Sequence, residues 1–455
     1  MALGASLVVA GTARAGAWAP HRVIVGYRPR GSAGVRREDV AERADLAAGT
    51  RHWSHASART HVTSRVVRLP RGESVPEAIR RLRGRAGVAY AEPDYIAHAT
   101  GEFYPDDRGR ANVKRGWERQ QWNLLPGAGV NAPEAWANLL TDHRAGGRGV
   151  RIAVLDTGVA YRDYKRYRVS PDLREARFVD PYDFIAHNRY PLDRNGHGTW
   201  VASAIAESTN NNVGLAGLAY GATIMPLRVL GAGGTGEEST IAKAIRYAVA
   251  HHADIINLSL EFVPSQVHSA RAIPQIVSAI ADARRHGVMV VGAAGNDEAR
   301  QLSFPARVKG VVAVGATTKD ECLANYSDTG KGLALVAPGG GSDAILPHDP
   351  ACHPERVLPS VYQLTLDDPP HWSKFGYPGF YIGTSMAAPE VSAAAALVIA
   401  SGVIGRHPTP DQVLKRLEQT ATPLPAGAAG PNRTYGYGLL NAGAATAPLA
   451  VPASR

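Results

Sequence analysis

The chain of 455 residues contains only two cysteines, Cys322 and Cys352, which excludes a small fold held together by several disulfides. The two thiols are either unrelated or form one bridge closing a loop of about 30 residues, and we expect the bridge if the protein is exported. No apolar run reaches the roughly 18 residues of a membrane-spanning helix, so no transmembrane segment is expected. With 45% hydrophobic and 20% charged residues, the composition is globular and excludes bulk disorder.

Lysine is absent from the N-terminal part of the chain. Residues 18–100 contain 15 arginines, no lysine and 8 acidic residues, a net charge of +7. Residues 101–455 contain 34 basic and 32 acidic residues, so most of the formal net charge of +10 lies in the first hundred residues. The larger part has no basic stripe with interleaved aromatic residues, and we therefore expect no nucleic-acid partner. The asymmetry indicates two units with different roles.

The N-terminal part predicts an export signal followed by a small domain. Its first residues are small and apolar, and two small-x-small cleavage patterns follow, which predicts a signal peptide over residues 1–17 and a secreted protein. Residues 18–100 show a β-α-β-α-β order, which fits a small ferredoxin-like α+β module. The predicted strands cover 21–27, 64–69 and 87–92, and the predicted helices cover 36–48 and the segment that follows the capping box at 74–77.

Residues 121–447 predict a larger α/β domain. Short apolar strands alternate with helices, which is typical of three layers with a mostly parallel sheet between helices, and catalytic groups gather at the carboxyl ends of such strands. Segment 101–120 lacks periodicity and predicts a linker or an extended arm, 339–380 an irregular insertion, and 448–455 a tail. The predicted strands are 151–155, 223–230, 254–258, 288–292 and 311–315, and the predicted helices are 201–206, 240–251, 276–286, 386–400 and 410–420.

Three short motifs supply an acid, a base and a nucleophile. Asp156 ends a strand in Val-Leu-Asp-Thr-Gly, whereas His197 in Asn-Gly-His-Gly-Thr and Ser385 in Gly-Thr-Ser-Met-Ala-Ala-Pro open helices. Each motif by itself also fits a cap or a turn. Together, His197 can take the Ser385 proton while Asp156 fixes the imidazole tautomer. Asn296, which follows a strand in Gly-Ala-Ala-Gly-Asn, can donate its amide to an oxyanion.

These four motifs, in this chain order, resemble those of the subtilase family of serine peptidases. The resemblance covers about residues 118–447 and implies a subtilisin-like fold that hydrolyses peptides and proteins. Residues 88–98 resemble the end of the family's inhibitory prodomain. The resemblance therefore implies a secreted zymogen. Its prodomain, residues 18–100, would act as an intramolecular inhibitor with its tail in the active-site cleft, and the enzyme would cut itself free. We expect a monomer after maturation.

The resemblance also implies a substrate cleft that pairs with an extended peptide. Glu261 stands where the family usually has glycine, and our hypothesis is that it shifts the primary pocket away from purely large apolar residues. Three further departures lie outside the catalytic positions: Trp200, Ser203 and Glu390. The residues implied to line the cleft are Ser259, Leu260, Glu261, Ala293, Ala294 and Gly295.

A structural Ca²⁺ site is implied in the same way, in the loop that follows the histidine helix. The matched ligands are the Asp172 carboxylate, the Asn211 side chain, and the backbone carbonyls of Thr209, Val213 and Leu215. Oxygen ligands of this kind suit a hard cation, and Asp107 could add another. The alternative is a polar turn without a metal, since Asn and Gly also form turns.

Other functional classes fit less well. The chain has no His-Glu-x-x-His run for zinc hydrolysis, and Ser385 is not in a Gly-x-Ser-x-Gly elbow. The glycines after residue 230 lack the lysine of a phosphate-binding loop. The remaining alternative is a catalytically silent subtilase that binds peptides or partners without cutting them. The intact motifs favour the enzyme.

Overall fold

The structure is a computed structural model in two compact units, Met1–Thr100 with Pro448–Arg455 and Gly101–Ala447. The predicted signal peptide and the predicted helix at 36–48 lie outside the described residues. The described residues are 18–27, 63–70, 73–95, 102–140, 144–346, 352–369, 371–425, 428 and 430–448.

The described part of the N-terminal unit is an antiparallel sheet with one helix. Strands β1 (Trp18–Tyr27), β2 (Thr63–Arg68) and β3 (Val88–Tyr95) pair in the order β2-β1-β3. Helix α1 (Val75–Arg83) begins at the predicted capping box, in which Ser74 and Glu77 cap each other reciprocally. The apolar face of α1 packs on alternate residues of the strands, so this unit has a core of its own.

The larger unit is built on a parallel sheet. Its order is β11-β10-β9-β8-β4-β7-β5, and β6 also pairs with β7. The direction of strand order reverses at β4, so β4 lies at a switch point, where open α/β sheets bind their ligands. The strands are β4 (Arg151–Asp156), β5 (Arg177–Phe178), β6 (Tyr182–Asp183), β7 (Thr223–Arg228), β8 (Ile255–Leu258), β9 (Met289–Ala293), β10 (Val311–Thr317) and β11 (Leu333–Pro338).

Helices cover both faces of this sheet because alternate strand residues point to opposite sides. In β4, Ile152 and Val154 pack with α2, α3 and α6, whereas Ala153 and Leu155 pack with α4 and α5. The three-layer arrangement predicted from the sequence is confirmed. The helices are α2 (Ala132–Leu140), α3 (His197–Ala206), α4 (Glu238–Ala250), α5 (Pro274–Arg285), α6 (Thr384–Ser401), α7 (Pro410–Thr420) and α8 (Ala442–Thr446).

Helix α6 crosses the core. In the described residues it is the one helix long and apolar enough to span a membrane by length and composition, and 89% of it is buried inside the protein. Its alanines allow close packing against β8, β9 and β10, which is the arrangement of a central core helix. Ser385 is the second residue of this helix, so a helix buried in the core positions that side chain.

Two segments are more ordered than the sequence indicates. Residues 102–120 belong to the larger unit, where buried Trp117 lies against Trp136 with ring centroids 5.6 Å apart. The 339–380 insertion contains a two-stranded ladder of β12 (Thr365–Leu366) and β13 (Phe375–Gly376). It is also joined to the preceding chain by a disulfide between Cys322 and Cys352.

Candidate active site

Asp156 and His197 form a short hydrogen bond at the carboxyl end of β4. The distance from His197 Nδ1 to Asp156 Oδ1 is 2.7 Å, and the same oxygen accepts from Thr157 N–H at 2.7 Å. The Asp156 side chain is 1% exposed and that of His197 is 24% exposed. A buried carboxylate thus contacts Nδ1, while the histidine retains access to solvent, as a general base requires.

The backbone around His197 is held by Asp193, a residue that the sequence analysis did not single out. Buried Asp193 accepts hydrogen bonds from Gly196 N–H at 3.0 Å, from Thr199 N–H at 2.9 Å and from Thr157 Oγ1 at 2.9 Å. At Gly198 a Cβ atom would lie 2.2 Å from a backbone oxygen of the β4 loop. The lack of a side chain at Gly198 therefore lets α3 approach the end of β4.

The pKa of His197 is raised above its ordinary value. Burial lowers it, but the charge of Asp156, the hydrogen bond to that carboxylate and the charge of Asp193 together outweigh burial. The two carboxylates stabilise an imidazolium, which is the form that a general base reaches after it accepts a proton.

Ser385 lies in the first turn of α6, beside the positive end of the helix dipole. Its Oγ donates to the backbone oxygen of Ser259 at 3.3 Å, and the Ser259 Oγ donates back to Ser385 O at 2.9 Å. Within the described residues, no hydrogen bond joins Ser385 Oγ to His197. Hydrogen bonds of a catalytic site are often long or poorly aligned in a free enzyme and tighten only with substrate, so the contact of Ser385 Oγ with the Ser259 backbone does not rule out a role as nucleophile.

Asn296 is fixed in place by Thr384, another residue that the sequence analysis did not identify. Asn296 Oδ1 accepts from Thr384 N–H at 2.8 Å and from Thr384 Oγ1 at 3.1 Å. These two contacts assign the Asn296 oxygen to Thr384 and leave the amide nitrogen to donate elsewhere. Nδ2 donates to Glu261 Oε1 at 3.3 Å, and the Asn296 backbone N–H donates to Glu261 Oε2 at 3.3 Å.

The predicted cleft residues follow or end two neighbouring strands, β8 and β9. Ser259 and Leu260 follow β8 and are buried, and Glu261 is half-buried. Ala293 ends β9, and Ala294 and Gly295 lead into Asn296. Gly295 has a φ of +120°, and a Cβ there would lie 2.0 Å from the Asp328 carboxylate. The two edges of the predicted cleft therefore meet at Asn296 and Ser385.

The predicted metal loop packs around Asp172. Asp172 Oδ2 accepts from Leu215 N–H at 2.8 Å, and Asp172 Oδ1 accepts from Asn211 Nδ2 at 3.2 Å. Asp107 caps the same loop, with its two oxygens bonded to the N–H groups of residues 210 and 211. Thr209 and Val213 lie on this loop, and the Val213 N–H donates to Asn211 Oδ1. The structure thus brings both carboxylates and the loop together.

Glu207, which the sequence did not indicate, adds a third fully buried carboxylate to Asp107 and Asp172. Among the described residues, neither of the two buried Glu207 oxygens has a hydrogen-bond partner. Burial raises the pKa of Asp107 to about 6, that of Asp172 to about 8 and that of Glu207 well above its ordinary value. Within the described chain none of the three pairs with Lys or Arg. Such buried, uncompensated oxygen donors fit a hard divalent cation.

The three departures from the family pattern are all buried. Trp200 stacks on Tyr381 with ring centroids 5.8 Å apart, and Ser203 Oγ donates to a backbone oxygen of the 339–380 insertion at 3.1 Å. Glu390 accepts from Asn123 Nδ2 at 2.6 Å in the core. Each of the three side chains therefore has a packing or hydrogen-bonding role in the interior.

Comparisons with known proteins agree with this geometry. The model of the subtilase family matches residues 147–438, and that of the fervidolysin N-terminal prodomain matches residues 5–94. Subtilisin Savinase of Lederbergia lenta is 34% identical over 321 residues, which is 70% of this chain and 96% of the relative. The thermophilic serine proteinase of Bacillus sp. (strain AK1) is 31% identical over 368 residues, 81% of this chain and 75% of the relative.

A solved structure, from the proteases of Pseudoalteromonas arctica PAMC 21717, has a TM-score of 0.58 and 29% identity. The match covers 76% of this chain and 99% of that chain. The family match spans more than half of the chain and includes Asp156, His197, Asn296 and Ser385. The chain belongs to the subtilase family and is a subtilisin-like serine endopeptidase with an N-terminal prodomain.

Proposed function

We propose that the protein is a secreted endopeptidase, made as a self-processing zymogen, in which Ser385 is the nucleophile and His197 the general base. The observation that carries this proposal is the 2.7 Å bond between His197 Nδ1 and Asp156 Oδ1. The bond leaves Nε2 free for the serine proton, while Asp156 stabilises the imidazolium. In the first step Ser385 Oγ exchanges its bond to the Ser259 backbone for one to His197.

Ser385 Oγ would then attack the peptide carbonyl carbon while His197 takes the serine proton, and the carbonyl oxygen would become an oxyanion. Two donors would stabilise this oxyanion. The Ser385 backbone N–H lies at the start of α6, where helix N–H groups have no partner within the helix. Asn296 supplies its side-chain amide, which Thr384 holds in one orientation. His197 then returns the proton to the leaving amine, and water repeats the sequence on the acyl-enzyme.

Calcium would be held by Asp172, Asn211, Asp107 and the backbone carbonyls of Thr209, Val213 and Leu215. Its role would be structural, because the loop packs at the end of α3 opposite to His197. Its positive charge would stabilise the buried acids in their ionised form.

The export and maturation parts of the proposal rest on other features. A disulfide between Cys322 and Cys352 is typical of proteins that fold outside the cytosol. The match to a prodomain model supports an N-terminal unit that inhibits the enzyme until it is cleaved off. We infer that substrates are peptides and proteins and that the mature enzyme acts as a monomer.

Covalent labelling tests the proposed nucleophile. Mature protein would be incubated with a fluorophosphonate, which phosphonylates an activated serine, and the modified peptide identified by mass spectrometry. We expect one adduct on Ser385, none in Ser385→Ala, and an unchanged adduct in Ser269→Ala, which removes an exposed serine. Folded, prodomain-free protein that neither labels nor cuts a peptide mixture would contradict the proposal and favour a silent subtilase.

A further inference from the structure

Glu261 lies directly against the proposed oxyanion donor. Both of its carboxylate oxygens accept from Asn296, one from the side-chain Nδ2 and one from the backbone N–H, each at 3.3 Å. Two residues before it, the Ser259 backbone accepts from Ser385 Oγ. A peptide whose scissile carbonyl lies between Ser385 and Asn296 therefore places the side chain of the residue before the cut beside Glu261.

A carboxylate in this position opposes the reaction. An oxyanion accepting from Asn296 Nδ2 would lie within about 6 Å of the Glu261 oxygens, since two hydrogen-bond lengths separate them. Two like charges at that distance repel each other in a site shielded from water. Glu261 also draws on the amide that the oxyanion needs. A bound group that neutralises Glu261 would remove both effects.

Neighbouring residues add negative charge rather than compensate it. One carboxylate oxygen from each of Glu261, Asp297 and Asp328 lies within 4.8 Å of the others. Asp328 is fully buried and accepts hydrogen bonds from the backbone N–H groups of residues 297 and 299 and from Ser303. It therefore adds negative charge next to Glu261 and does not contact a substrate directly. In the described part of the chain none of these three acids forms an ion pair with Lys or Arg. Burial and the charge of Asp297 raise the pKa of Glu261.

We propose that Glu261 makes the primary pocket select a substrate with Lys or Arg immediately before the cleaved bond, and that this cation frees Asn296 for the oxyanion. The inference rests on the proposed function and names its substrate class. A lysine or arginine side chain branches from the Cα atom next to the reacting carbonyl and is long enough to pair with a carboxylate beside Asn296. The same contact would lower the barrier as well as improve binding, because it removes a charge that opposes the transition state.

The test compares two peptides that differ only at the residue before the cut, lysine in one and norleucine in the other. Norleucine has the same unbranched chain without the charge. Mature wild type, assayed in excess Ca²⁺, is expected to prefer lysine by at least about tenfold in kcat/KM, with part of the difference in kcat. In Glu261→Gln we expect the ratio to fall to within about threefold of unity.

Asp297→Asn is the matched control, because it removes a nearby charge whose carboxylate, within the described residues, accepts no hydrogen bond from Asn296. We expect it to keep most of the lysine preference. A wild-type ratio near one, or a ratio unchanged in Glu261→Gln, would overturn the inference; the wild-type ratio decides alone if the variant fails to mature. If Asp297→Asn lost as much of the lysine preference as Glu261→Gln does, the assignment of this preference to Glu261 would be overturned. Cleavage of both peptides at equal rates would contradict the inference on Glu261 but not the proposed peptidase function. If neither peptide were cleaved, the proposed function itself would be contradicted.

Discussion

Asn123 and Glu390 meet in the core, with Glu390 on the same helix as Ser385, and Asn123 Nδ2 donates to Glu390 Oε1 across 2.6 Å. Both side chains are almost completely buried. The two remaining polar atoms, Asn123 Oδ1 and Glu390 Oε2, have no hydrogen-bond partner among the residues that the structure describes. A protonated carboxyl can satisfy both because its O–H donates to the amide oxygen. Burial raises the pKa of Glu390 to about 8, against a smaller opposite effect of the hydrogen bond to Asn123.

This pair predicts a loss of stability at alkaline pH. The pKa of Glu390 is 4.5 in the reference state and about 8 in the fold, so the folded protein binds the proton more tightly. The stabilisation is fully present below pH 4.5 and is lost as the pH rises through about 8. Glu390→Gln keeps the shape and both hydrogen bonds without a titrating proton. At pH 9 it should raise the free energy of unfolding by up to roughly 4 kcal/mol, with almost no effect at pH 4.

Urea unfolding at several pH values measures this difference. A Ser385→Ala background prevents self-digestion, and Glu298→Gln, which changes an exposed glutamate, is the control. Parallel pH dependences in the Glu390→Gln and control proteins would show that Glu390 is ionised in the fold.

Removal of the proposed oxyanion donor should reduce turnover more than binding. Asn296→Ala is expected to lower kcat by about 100- to 1,000-fold with little change in KM, the usual effect of losing one preorganised donor. Thr384→Val removes the Oγ1 contacts to Asn296 and to the Gly295 backbone and retains the contact of the Thr384 N–H with Asn296 Oδ1. It should cost about tenfold in kcat. Steady-state kinetics on one peptide distinguish these results. A rise in KM at constant kcat would assign Asn296 to ground-state binding instead.

The buried acid Glu207 should make the protein depend on a cation. In the part of the chain that the structure describes, its two carboxylate oxygens have no hydrogen-bond partner, and the charges of Asp172 and Asp107 act on it. Glu207→Gln should therefore raise the melting temperature in EDTA, where no cation offsets the buried acids, and reduce the further increase caused by Ca²⁺. Differential scanning calorimetry of Ser385→Ala protein gives both values, and exposed Glu237→Gln is the control. An unchanged Ca²⁺-induced shift would show that Glu207 does not take part in binding.

The sequence predicted those parts of the site that are local in the chain. Asp156, His197 and Ser385 lie at ends of regular elements, and the apolar periodicity that marks those elements is visible in the sequence. Helix α7 has the bounds predicted for it, residues 410–420. The sheet class follows from the alternation of strands and helices.

Other features depend on distant contacts that no local pattern specifies. Asn123 and Glu390 are 267 positions apart, and Asp172 reaches Leu215 across 43 positions. Segment 102–120 lacks periodicity because its order comes from a single buried tryptophan and from Asp107, not from a repeated apolar face. The sequence predicted a linker or an extended arm for this segment, and in the structure the segment belongs to the larger unit. Strand β11 was missed although its residues 333–338 are apolar.

The intact mass of wild type and of Ser385→Ala, measured after export and incubation with Ca²⁺, tests most directly whether Ser385 releases the N-terminal unit. We expect wild type to lose about its first hundred residues, the size of the N-terminal unit, and Ser385→Ala to retain the residues that follow the signal peptide. The wild-type mass would then locate the maturation site. If the two proteins are processed alike, or neither is processed, self-cleavage by Ser385 is contradicted.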